Sequence, residues 1–257
     1  MVIFVIATLG AAAKALLFVL LTLPLMPVQW LLVKWHLPQA QTLPHFYHRL
    51  VCRILGVRLQ VEGQVTGHGL IVSNHVSWLD IVVLSAVHPV SFVAKKEVAG
   101  WFFFGTLARL QCSVFVDRER RQTTRASTGD MMKRLEAGDT LVLFPEGTSS
   151  PGRGLRPFKT SFFAAIENAV IPLIPVGLSY RSQHGLPLTM RQRPGVAWYG
   201  DMDLLPHLWA FLKGGPVQVT VTVHAPLLPS AFTGRKALAA AAAQAIGQSL
   251  HGGAKIG

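Results

Sequence analysis

Apolar positions along this chain fall into two regimes. Residues 1–33 form an almost unbroken apolar block whose only charged side chain is Lys14. After about residue 42, short apolar runs alternate with longer mixed stretches, the rhythm of an α/β domain. As one straight helix the block would be roughly 50 Å long, against a hydrocarbon core of about 30 Å. Pro24 and Pro27 argue against one straight rod. Two arrangements fit: residues 2–23 span the bilayer, or two shorter helices dip in and return. The start lacks a basic cluster and no clear small-x-small site follows, which disfavours a cleaved signal peptide. The block is apolar all round and long, unlike a core helix of a soluble protein.

In the second regime, residues 57–61 alternate apolar and polar, and residues 217–223 do so strictly, as half-buried strands do. Further strands are predicted at 70–72, 90–94, 113–116, 141–144, 173–180 and 196–199. Helices are predicted at 79–86, 101–110, 123–137, 161–168 and 235–250. The third of these ends at Gly138, a suitable left-handed stop, and Thr233 can cap the last. The organisation expected is a membrane-anchoring helical segment over residues 1–42, followed by one domain over residues 43–257.

Composition sharpens this picture. Hydrophobic residues make up 51% of the chain, and 24 Lys and Arg against 12 Asp and Glu give a formal charge of +12. Such an excess favours an anionic partner. Beside an apolar N-terminus, the partner expected is membrane lipid with anionic head groups. No recognition helix or zinc-finger pattern supports nucleic acid. Lys34, His36, Arg49 and Arg53 follow the apolar block, and by the positive-inside tendency they put the remainder on the cytoplasmic side. Cys52 and Cys112 make neither a disulfide framework nor a metal-ligand spacing, so free thiols in a reducing compartment and no metal are expected.

The candidate chemistry lies in Asn74-His75-Val76-Ser77-Trp78-Leu79-Asp80, between a predicted strand and a predicted helix. Residues five apart are about 140° apart on an ideal helix, so His75 and Asp80 cannot share a helical face. They can meet if His75 sits on the turn and folds back over the first helical turn. The carboxylate would then hold Nδ1–H and leave Nε2 to accept a proton. No G-x-S-x-G elbow supplies a nucleophile, although Ser73 and Ser77 are near in sequence. A histidine without a protein nucleophile suits a reaction in which the substrate brings the hydroxyl. Two strand-end segments could hold that substrate. Phe144-Pro145-Glu146-Gly147-Thr148 is followed by Arg153, Arg156 and Lys159. Val116-Asp117-Arg118 precedes more cations. A lipid-binding protein without turnover and a serine esterase are the competing classes; neither requires the His75–Asp80 spacing without a nucleophile.

With these segments and Val170-Ile171-Pro172-Leu173-Ile174-Pro175-Val176, the chain resembles the glycerolipid acyltransferase superfamily typified by 1-acylglycerol-3-phosphate acyltransferases. Four motifs in order cover residues 74–176. The resemblance implies an α/β fold, a mixed sheet flanked by helices, with an apolar N-terminal membrane-associating segment. It implies transfer of a fatty acyl chain from acyl-CoA or acyl-acyl carrier protein, as co-substrates and with no cofactor, to a lysolipid hydroxyl. A bacterial inner-membrane enzyme facing the cytoplasm is the expectation. By the same resemblance His75 is the catalytic base and Asp80 its orienting partner. Asn74, Arg118, Glu146, Gly147, Thr148 and Lys159 bind substrate, Arg118 on the acceptor phosphate, and Pro175 lies in the segment that shapes the acyl-binding region. The pattern Gly-Thr-Arg-Ser becomes Gly147-Thr148-Ser149-Ser150 here, and Phe-Lys-x-Gly becomes Phe158-Lys159-Thr160-Ser161, so one expected phosphate-binding arginine is missing. The Gly-Thr-Ser-Ser form, with Trp198-Tyr199-Gly200-Asp201-Met202, is similar to the branch acting on lyso-ornithine lipid. The first expectation is 1-acylglycerol-3-phosphate as acceptor, giving phosphatidic acid; lyso-ornithine lipid is the alternative.

Overall fold

The apolar block forms a single helix, α1 (Val2–Lys34), which continues through Pro24 and Pro27 rather than dividing into two. The computed structural model describes residues 2–117, 121–167 and 169–251. A second helix, α2 (Gln39–Leu55), turns back along α1 and ends at Gly56 in the left-handed region (φ 76°), where the Gly56 N–H closes onto the Arg53 and Cys52 carbonyls. The expected boundary at 42/43 thus falls inside α2. Among the described residues, α1 is the one helix long and apolar enough to cross a membrane.

The remaining elements follow as β1 (Val57–Glu62), β2 (Leu70–Ser73), α3 (Leu79–Val87), β3 (Ser91–Lys95), α4 (Phe104–Leu110), β4 (Val114–Val116) and α5 (Arg121–Glu136). Then come β5 (Leu141–Leu143), β6 (Leu173–Gln183), β7 (Leu186–Pro187), α6 (Leu204–Lys213), β8 (Val217–Val223) and α7 (Arg235–His251). The sheet order is β1-β8-β6-β2-β5-β3-β4, with β7 folded back on the end of β6. Strands β6, β2, β5, β3 and β4 run parallel to one another, whereas β8 is antiparallel to β6 and parallel to β1. The sheet is mixed, as expected.

Two apolar layers enclose it. One packs α2, α3 and α6 on the sheet through Val51, Leu55, Leu79, Val83 and Phe211. The other packs α5 and α7 through Leu135, Leu238, Ala242 and Ile246. Strand β2 is covered on both sides, which is why it reads as a continuous apolar run rather than an alternating one. Since β2 and β5 are parallel neighbours, the loops leaving their carboxyl ends emerge side by side, where ligands of open α/β sheets bind.

Helix α1 is fastened to this body by polar side chains on one stripe. Lys14 Nζ donates to the carbonyls of Leu212 (3.2 Å) and Gly214 (3.4 Å) at the end of α6. Thr22 Oγ1 lies 2.8 Å from Tyr47 Oη on α2. Gln29 Nε2 donates to the Ala40 and Leu110 carbonyls at 2.7 and 2.8 Å. The opposite stripe, including Leu9, Leu16 and Leu20, is exposed.

Two sequence expectations fail locally. Residues 196–199 form no strand; Val196 and Ala197 are buried beside α6 and feed the core as irregular backbone. Residues 161–168 yield a short 3-10 turn at Thr160–Phe163 instead of a helix, with Phe163 and Ile166 filling the second core layer.

Candidate active site

The turn between β2 and α3 is organised around one carboxylate. Asp80, in the first turn of α3, is completely buried (0% exposed). Its Oδ2 accepts Nδ1–H of His75 at 2.7 Å and the backbone N–H groups of Val76 and Ser77 at 2.6 and 2.9 Å. Its Oδ1 accepts the hydroxyl of Tyr180, on β6, at 2.5 Å. A buried charge is tolerable when its lone pairs are so occupied. The predicted geometry holds: the turn folds the His75 ring back over the first turn of α3.

The His75 ring also stacks on Phe144 at the end of β5, with centroids 4.1 Å apart and planes 16° from parallel. With Nδ1 on Asp80 and one face on Phe144, the ring is fixed in rotamer and tautomer, and Nε2 is the nitrogen left to exchange protons. The side chain is 18% exposed, so the ring can be reached from outside.

Glu146 departs from expectation. It is 3% exposed, with Oε1 accepting His75 N–H at 3.0 Å and Oε2 accepting Arg156 N–H at 3.3 Å. Both oxygens brace backbone and neither is offered to an acceptor. Burial pushes this carboxyl up to about 7, against the opposing pull of the two N–H donors. Asn74 is likewise engaged with backbone: buried, it donates Nδ2–H to the Leu178 carbonyl (3.0 Å) and accepts Leu178 N–H on Oδ1 (2.8 Å). Its amide bridges the end of β2 to β6.

The rest of the β5 loop alternates between covered and exposed positions. Gly147 adopts φ 76°, and a Cβ there would come within 2.9 Å of the Lys159 ammonium, so the loop needs glycine for conformation and for space. Thr148 and Lys159 are exposed, where an acceptor head group can meet them. Ser149 and Ser150 are buried; Ser150 N–H donates to the His75 carbonyl at 2.8 Å. Arg118 lies outside the described residues.

The N–H groups of His75, Val76 and Ser77 are all committed to Glu146 and Asp80, so this turn leaves none of the three free for an oxyanion. Tyr180 and Arg193 escaped sequence reading. Arg193 Nη1 donates to the Gly152 and Pro151 carbonyls at 2.8 and 3.4 Å, pinning the loop after Ser150. Ser73 and Ser77, the nucleophiles a serine esterase would need, are both fully buried.

Comparison with known proteins bears on the family and the fold. Residues 57–179 match the Acyltransferase family. The chain is 44% identical to the lyso-ornithine lipid O-acyltransferase of Brucella abortus over 230 residues, 86% of each chain. The protein belongs to the acyltransferase family. The relatives of this acyltransferase carry two acceptor names. It is 44% identical to the lyso-ornithine lipid O-acyltransferase of Rhizobium meliloti, over 82% of this chain and 75% of that one. It is 34% identical to the 1-acyl-sn-glycerol-3-phosphate acyltransferase of Neisseria meningitidis, over 64% of each. The acyltransferase fold itself is that of the 1-acyl-sn-glycerophosphate acyltransferase of Thermotoga maritima, at a TM-score of 0.68 and 18% identity over 96% of this chain and 94% of the other.

Proposed function

We propose that this acyltransferase esterifies the hydroxyl of lyso-ornithine lipid, taking the acyl chain from acyl-acyl carrier protein or acyl-CoA. The observation that carries this reading is the 44% identity, over most of both chains, to two lyso-ornithine lipid O-acyltransferases. The order expected from sequence, with 1-acylglycerol-3-phosphate first, is reversed. The β5 loop supports the reversal. Ser149, where the phosphate-acceptor pattern has arginine, is 8% exposed, so that position presents no cation to a phosphomonoester. Lys159, beside Gly147, is placed to meet the carboxylate of an ornithine head group.

The reaction follows from the dyad. The acceptor hydroxyl gives its proton to His75 Nε2 as its oxygen attacks the thioester carbonyl. The resulting imidazolium is held by Asp80. Collapse of the tetrahedral intermediate breaks the C–S bond, and the proton on Nε2 goes to the leaving thiolate. No acyl-enzyme forms. The exposed stripe of α1 holds the protein at a membrane where lysolipid and product both dissolve, with the catalytic domain on the cytoplasmic side.

The test is acyl transfer by purified protein with both donors, offered lyso-ornithine lipid and lysophosphatidic acid side by side. Acylation of the aminolipid at a rate at least tenfold higher is expected. Equal or faster acylation of lysophosphatidic acid overturns the acceptor assignment, and labelling of wild-type protein by a fluorophosphonate probe overturns direct transfer.

A further inference from the structure

On the side of α2 facing away from α1, a cleft of about 490 Å³ opens between α2, strand β1 and the end of α3. That volume lies within the ~300–1,000 Å³ typical of small-molecule sites. Its rim carries Arg49 and Arg53 from α2, with His45 one turn earlier and His88 from the end of α3. Its floor is apolar: Cys52, Val57, Leu59 and Val87 line it. No carboxylate is among the lining residues. Arg49 and Arg53 are exposed and have no ion-pair or hydrogen-bond partner among the described residues. His45 is differently placed, its Nδ1–H donating to the Ser85 carbonyl at 2.8 Å. Burial and the nearby His45 hold His88 below the usual histidine range, so His88 adds little to the charge of the two arginines.

The geometry of α2 sets an exposed apolar line beside the cationic one. Residues 45, 49 and 53 follow one line along the helix, and each step of one residue moves about 100° around it. Phe46 and Leu50, one step beyond His45 and Arg49, are 58% and 40% exposed. A cationic line and an exposed apolar line therefore lie about a quarter turn apart on the same helix. This is the arrangement of a side that meets a bilayer with its cations at head-group depth.

We propose that the α2–β1–α3 cleft binds the head group of an anionic phospholipid, with Arg49 and Arg53 on the phosphate and the lipid tails lying along Phe46 and Leu50. The mixed lining fits an amphiphile better than a free anion, which would leave the apolar floor uncovered. The site is separate from the His75 turn, since the cleft sits at the far end of α3 from Asp80. It would seat the enzyme on anionic regions of the membrane without handling the acceptor. The inference rests on the membrane association proposed above.

The experiment uses full-length protein in neutral detergent, with retained lipid counted by native mass spectrometry. Wild type should retain phosphatidylglycerol over phosphatidylcholine, and Arg49→Gln with Arg53→Gln should cut that retention at least fivefold, since each basic side chain near an anionic surface contributes about fivefold. Arg235→Gln with Lys236→Gln removes the same charge from exposed positions on α7, on the other side of the sheet, and should retain the lipid as wild type does. Charge reversal at Arg53→Glu gives a second readout in the same direction. Equal retention by the two double variants, or displacement of the lipid by millimolar inorganic phosphate, overturns the proposal. So does loss of retained acidic carrier protein, rather than lipid, from the Arg49/Arg53 variant. Acyl transfer assayed on the same samples reports separately: wild type that retains the lipid but transfers no acyl chain sinks the function and not the cleft.

Discussion

The hydroxyl of Tyr180 donates to Oδ1 of Asp80 at 2.5 Å, across 100 residues of sequence. Hydrogen bonds to a charged group contribute about 1.5–3 kcal/mol, and here the acceptor is the carboxylate that holds the His75 ring. Tyr180→Phe keeps the ring and its packing. It should leave the fold intact and lower kcat roughly tenfold, with KM for the lysolipid nearly unchanged. Steady-state kinetics beside a circular dichroism melt would check this; an unchanged kcat would show that the backbone donors alone hold Asp80.

The two members of the dyad should fail differently. His75→Ala removes a base that is partly exposed and should cost about 10²–10⁴-fold in rate with little loss of stability. Asp80→Asn puts an amide among four donors, three of them on one oxygen. It should lose activity comparably and also lower the melting temperature, because the turn loses its anchor. Matching melting temperatures for the two variants would contradict the structural role of the carboxylate.

How far these relations could be read in the sequence depends on how local they are. His75 and Asp80 are five residues apart across a strand–helix junction, so spacing alone announced that they could touch. Tyr180 left no such trace, because only the pairing of β6 beside β2 brings it over Asp80. Glu146 and Asn74 lie in motif positions that suggest ligand contact. Their commitment to His75, Arg156 and Leu178 depends on loops and strands distant in sequence. The β-branched run of β8 was legible because it is half-buried with period two. Residues 196–199 carry a similar apolar run but bury it as irregular backbone, where periodicity over four residues cannot separate strand from core-filling loop.

Glu146 makes a prediction about pH. Its carboxyl is raised to about 7 by burial in the folded protein, against about 4.3 in an unfolded chain. The folded state therefore binds a proton that the unfolded state has released between these values. The corresponding stability is fully present below the unfolded value and is lost as pH rises through about 7. Glu146→Gln cannot titrate, so its melting temperature should vary less with pH between 4.5 and 8 than that of wild type. Parallel profiles would mean that the carboxyl is ionised throughout.

Lys14 tests whether α1 is a loose anchor or part of the folded body. Its ammonium caps the carboxyl end of α6 through the Leu212 and Gly214 carbonyls, a position where helix carbonyls otherwise lack partners and where the helix dipole favours a cation by about 0.3–1 kcal/mol. An anchor that only dissolved in lipid would gain from losing this charge. Lys14→Met preserves length and apolar bulk, and should nevertheless lower the melting temperature in detergent by a few degrees. Leu16→Met, on the exposed stripe, should leave it unchanged. A Lys14→Met protein as stable as wild type would show that α1 is held to the domain by its apolar contacts and by Thr22 and Gln29 alone.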